Sequence, residues 1–130
     1  MDPWPDAVDA LTRLKAEYVV CSLSNGNVAL LTHAGLPWDC ILSAETFRRY
    51  KPEPEAYHGA ASVFDVLEAD VMLVAAHHDD LAAARSCGLH TAYVERPHEF
   101  GRDALKDVSP SLGNTLHARD LGELATLLGC

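Results

Sequence analysis

Basic residues are scarce: ten Lys and Arg stand against nineteen Asp and Glu, a net charge of −9 over 130 residues. Binding a phosphate backbone takes clustered Lys and Arg, so this balance argues against a nucleic-acid partner. No apolar run approaches membrane-spanning length, and no membrane partner is expected. The opening Met1-Asp2-Pro3-Trp4-Pro5 has neither the basic end nor the apolar stretch of a secretion signal, so a cytoplasmic location is expected. The four cysteines (Cys21, Cys40, Cys87, Cys130) form no C-x-x-C pair and lack metal-ligand spacing. They read as reduced, small apolar side chains. Repeats, low-complexity tracts and linkers are also absent. What remains is 48% apolar and 22% charged, which excludes disorder as the default and fits a single domain over residues 1–130.

Helix and strand patterns alternate along the chain. Residues 6–16 read as a helix with Ala7, Val8, Leu11 and Leu14 on one face and Asp6 as its cap. Tyr18 to Leu23 is a short run rich in β-formers, hence a buried strand. Ser24-Asn25-Gly26 breaks it, and a second helix runs to Ala34 before Gly35. Cys40 to Ser43 reads as a short strand. Pro54 begins a helix with Tyr57, Ala60, Ala61 and Phe64 inward. Val71 to Ala76 is the clearest strand, followed by a helix from Asp80 to Cys87 and a strand from Thr91 to Glu95. A long loop covers residues 96–112, and Asp120 to Leu128 forms the last helix. Strands alternating with helices predict a parallel sheet covered on both faces.

Polar residues collect beyond the carboxyl ends of these strands, where open parallel sheets bind ligands. Ser24-Asn25-Gly26 follows the first strand and opens a helix; its N–H groups suit an anion, and equally a plain turn with a helix cap. Lys51 lies between Tyr50 and Pro52, with Pro54 beyond, so the loop is stiff. A fixed ammonium there can bind a carboxylate; a solvated surface lysine is the alternative. His77-His78-Asp79-Asp80 follows the strongest strand, with Asp80 as helix N-cap, site carboxylate or both. No metal is expected, because adjacent residues rarely converge on one ion.

In this order the clusters resemble the haloacid dehalogenase superfamily of hydrolases, and more closely its 2-haloacid dehalogenase branch. Leu23-Ser24-Asn25-Gly26 looks like the second motif of that family, and Tyr50-Lys51-Pro52 with Tyr57 like the third. Val74 to Leu81, running into Ala84 and Gly88-Leu89, looks like the fourth. Arg96 to Gly101 and Ala118 to Leu121 resemble its downstream segments. The resemblance implies a Rossmann-like α/β sheet and a small-molecule 2-haloacid substrate, with no cofactor. An aspartate displaces the halide to form an ester, which water then hydrolyses. It implies Lys51 and Asp80 as catalytic residues: Lys51 keeps the nucleophile ionised, and Asp80 orients Lys51 or the water. Ser24, Asn25, Tyr57 and His77 would line the substrate pocket. Ala75 and His77 stand where the family often carries Ser or Asn. Asp79 brings the motif nearer to the Mg²⁺-dependent phosphatases of the superfamily.

Two family features have no match. No Asp-x-Asp-like or Asp-x-Tyr-like strand precedes the first helix, and no helical cap is found. The sequence therefore reads as the C-terminal part of a dehalogenase-like protein, inactive alone; the alternatives are a non-catalytic remnant acting through protein contacts and part of a Mg²⁺-dependent phosphatase of the same superfamily. The missing strand is central in the family. The Tyr18–Leu23 and Val71–Ala76 strands must then pair directly or leave a gap, and the gap would favour self-association.

Overall fold

The computed structural model describes residues 5–24, 35–43, 46, 48, 51, 53–97, 99 and 106–130. The described elements are α1 (Ala7–Lys15), β1 (Cys21–Ser24), β2 (Cys40–Ser43), α2 (Pro54–Val63) and a 3₁₀ turn (Glu68–Asp70). They continue with β3 (Met72–Ala75), α3 (His78–Ser86), β4 (His90–Val94), β5 (Leu116–Ala118) and α4 (Leu121–Leu127). The expected helix up to Ala34 and the residues Asn25 and Gly26 lie outside the described residues. Among the described residues, no helix is long and apolar enough to cross a membrane.

The strands form two parallel sheets, one of order β1-β2 and one of order β3-β4-β5. Cys21 lies opposite Cys40 and Ser24 opposite Ser43; Ala75 lies opposite Tyr93, and Val94 opposite Ala118. Strand β4 sits at the centre of its sheet and alternates between two cores. Thr91 and Tyr93 face one way and Ala92 and Val94 the other. Tyr93 packs with Tyr57, Leu73 and Leu81, under α2 and α3. Ala92 and Val94 pack with Ala118 and Leu124, under α4. Both faces are thus covered, as the apolar strands require. Helix α1 joins α4 through Leu11, Leu14 and Ala125. Gly88, at φ +94°, ends α3 in the left-handed conformation that glycine adopts without strain.

Between β1 and β3 there is no ladder among the described residues; a groove of about 1120 Å³ lies there instead, walled by Ser22, Leu23 and Ser24 on one side and Met72 to Ala75 on the other. Of the two outcomes expected for these strands, the gap is the one formed.

Several local expectations need correction. The first strand starts at Cys21, so Tyr18 and Val19 are exposed rather than buried. Val8 is exposed as well, because only Ala7, Ala10, Leu11 and Leu14 reach the core. Helix α3 starts two residues earlier than expected, so its N-cap is His77 and Asp80 lies within the first turn. Strand β5 lacked a visible pattern in the sequence, being three residues long with one buried side chain.

Asp6 sits at the N-cap of α1 but makes no side-chain cap there. Its carboxylate instead accepts Nη2 of Arg96 at 3.1 and 3.2 Å and the backbone N–H of Leu121 at 2.7 Å. One side chain thus ties the chain's first helix to its last. Burial pushes the Asp6 carboxyl up, but the Leu121 N–H and the Arg96 guanidinium outweigh it and hold it below its ordinary value. A group held low stabilises the fold above its unfolded pKa and loses that effect as pH falls through the folded value. Asp6→Asn should therefore cost about 1–2 kcal/mol at neutral pH. In urea unfolding, the difference from the parent should persist down to about pH 4 and close below it.

Candidate active site

Three side chains from separate segments meet at the carboxyl end of the groove. Lys51 precedes α2, Tyr57 lies on the inward stripe of α2, and Asp80 lies in the first turn of α3. Lys51 Nζ donates to Asp80 Oδ2 at 2.6 Å, and Tyr57 Oη donates to Asp80 Oδ1 at 2.6 Å. Both carboxylate oxygens of Asp80 are therefore engaged, each by a different donor. The ion pair is largely enclosed, with the Lys51 and Asp80 side chains 19% and 16% exposed. Lys51 is thus not a solvated surface lysine. The first turn of α3 also favours a carboxylate at this place, because its N–H groups carry partial positive charge.

Tyr57 is fully buried. Burial, then its hydrogen bond to Asp80 and the Asp80 charge, push its phenol well above the ordinary range. It remains protonated and acts only as a donor to Asp80. Ser24 ends β1 half-buried and lines the same groove as Lys51, His77 and Asp80. Asn25 lies outside the described residues. Asp79 is exposed on α3.

His77 lines the groove, but its Nε2 faces Glu99, at 2.8 Å from Oε1 and 3.0 Å from Oε2. Lys106 Nζ donates to Glu99 Oε2 at 2.9 Å and also to the carbonyl oxygen of Ala76. Burial raises the Glu99 carboxyl, and the Lys106 and His77 contacts more than offset this, leaving it below its ordinary value. Glu99 and Lys106 did not emerge from the motif reading. The Arg96–Gly101 segment was the one hint of Glu99; Lys106 lies in an unpatterned loop, and only the tertiary contact with Ala76 marks it.

The fold and the site together define an α/β domain whose ligand-facing groups lie at the carboxyl ends of parallel strands. Its relatives narrow this. A family model for haloacid dehalogenase-like hydrolases matches residues 1–88, and the chain belongs to that family. (S)-2-Haloacid dehalogenase 4A of Burkholderia cepacia is 34% identical over 122 residues, 86% of this chain and 53% of that protein. An (S)-2-haloacid dehalogenase of Xanthobacter autotrophicus is 33% identical over 102 residues, 74% of this chain and 40% of that protein. The crystal structure of a defluorinating L-2-haloacid dehalogenase superposes with a TM-score of 0.94 at 43% identity, covering 99% of this chain and 54% of that one. The chain spans about half the length of these relatives.

Tyr57→Phe removes one donor from a buried, charged acceptor and leaves the ring in place. It should lower stability by about 1.5–3 kcal/mol, read from denaturant unfolding, while the far-ultraviolet circular dichroism stays unchanged.

Proposed function

We propose that this chain supplies the lysine-bearing half of a hydrolase site that removes halide from 2-haloalkanoic acids. The observation that carries the reading is the convergence of Lys51, Tyr57 and Asp80 at the end of a groove walled by β1 and β3, which form no ladder with each other among the described residues. The likeness to proteins named as 2-haloacid dehalogenases supports it. In this reading the nucleophilic aspartate enters on a strand that fills the groove, contributed by residues other than 1–130. Its carboxylate attacks the carbon bearing the halogen; that carbon–halogen bond breaks with its electrons leaving as halide, and an aspartyl ester forms. Lys51 holds the nucleophile ionised, Asp80 orients Lys51, and Tyr57 steadies Asp80. Ser24 and Asn25 hold the substrate carboxylate or the region of the departing halide, and His77 faces the substrate. The substrate is a small 2-haloacid, used in the cytoplasm without a cofactor and without nucleic-acid or membrane partners. Alone, the chain is inactive.

The test complements this chain with the part of the 43%-identical relative that has no counterpart here. The complemented protein should release halide from 2-chloropropionate, and the chain alone should not. Lys51→Ala in the complemented protein should lower turnover by about 10²–10³-fold, the usual loss when a charge-stabilising group is removed. Near-normal turnover would refute the role given to Lys51. The open edges of β1 and β3 favour a second reading, a non-catalytic chain that acts through protein contacts. Concentration-dependent mass in sedimentation, with no halide release on complementation, would favour it.

A further inference from the structure

His77 lines the groove, and its ring is also held by specific partners. Its imidazole is tied on one side by Glu99, which accepts from Nε2 through both carboxylate oxygens. Glu99 is itself held by Lys106, whose side chain is only 13% exposed and lies 5.8 Å over the Tyr93 ring. Lys106 also binds the carbonyl of Ala76, the residue adjoining His77. One lysine thus anchors both the backbone before His77 and the carboxylate that grips its ring.

This arrangement has a chemical consequence. A carboxylate can only accept, so Nε2 must carry the hydrogen. The neutral ring then keeps its lone pair at Nδ1, which is a proton acceptor. His77 caps α3 and Asp80 follows three residues later in the first turn, so both stand at the same helix end. Both line the groove, with the His77 side chain 54% exposed.

We infer that His77, oriented by Glu99 and Lys106, accepts the proton of the water that hydrolyses the aspartyl ester. The inference rests on the hydrolase reading above and assigns its second half-reaction. The water oxygen bonds to the acyl carbon of the ester as its proton passes to Nδ1. The acyl carbon–alkoxy oxygen bond then breaks, and the departing alkoxide takes the proton back from Nδ1, giving the 2-hydroxy acid. The regenerated carboxylic acid loses its own proton to solvent. Glu99 and Lys106 are positioning residues in this scheme, acting through the His77 ring and the backbone before it.

Two measurements test it. On this chain, ring ¹⁵N shifts should show the Nε2–H tautomer wherever the His77 ring is neutral, and Glu99→Ala should let both tautomers appear. A predominant Nδ1–H tautomer in the parent would overturn the inference. On the complemented protein, single-turnover kinetics with 2-chloropropionate separate the two half-reactions. Far-ultraviolet circular dichroism reports that His77→Phe is folded, and the halide it releases should match the ester it accumulates. Hydrolysis of the ester should then slow by at least about 100-fold, with the covalent adduct visible by mass spectrometry. Glu99→Ala should slow the same step less and shift its pH profile, which a merely structural role would not do. Ester hydrolysis by His77→Phe within threefold of the parent would overturn the role of His77 and leave the hydrolase reading standing. No halide release from the unsubstituted complemented protein would remove that reading, and this inference with it.

Discussion

The carboxylate of Asp80, shared between the ammonium of Lys51 and the phenol of Tyr57, is the contact on which the site depends. It joins the segment before α2, the buried face of α2 and the start of α3. A half-buried carboxylate without such donors would be costly, because removing a charge from water must be offset by hydrogen bonds of good geometry. Here each oxygen has its own donor at 2.6 Å. The pair therefore fixes where Lys51 points, and a lysine so fixed can act on a neighbouring acid in a way that a mobile one cannot.

The groove beside this contact sets the architecture. Each sheet is parallel, and helices bury the apolar side chains on both faces of the β3-β4-β5 sheet. Edges facing the groove carry apolar residues such as Leu23 and Val74, the latter 38% exposed, which a covered parallel sheet would bury. The domain is held together around the groove by α1 against α4 and by Asp6 against Arg96 and Leu121, and Leu23 of β1 also packs against the core that holds Leu73 of β3. Ser24, Lys51, His77 and Asp80 supply polar groups to the lining of this groove.

Much of the fold was legible in residue patterns. Cys40–Ser43 formed as expected, and α2 began at Pro54 with Tyr57, Ala60 and Ala61 inward, because proline at a helix start and an i, i+3, i+4 stripe are local signals. Boundaries were less legible. Tyr18 and Val19 have strong β propensity yet lie outside β1, since propensity does not supply a ladder partner. Asp6 looked like a helix cap and serves a distant guanidinium and a distant helix start, a choice made by a contact 115 residues away. In the candidate site, Lys51, Tyr57 and Asp80 were named from motif order, but Glu99 and Lys106 were not, as their contacts with His77 and Ala76 join residues 22 and 30 positions apart.

Taken by itself, the order of residues determined an alternating α/β chain with polar clusters after its strands, because side-chain periodicity and turn chemistry act over a few residues. The meeting of those clusters on one carboxylate was decided only by tertiary structure, as was the choice of a groove over a direct β1–β3 pair. Both depend on how helices pack against distant strands, and that packing joins residues whose separation along the chain carries no local signal.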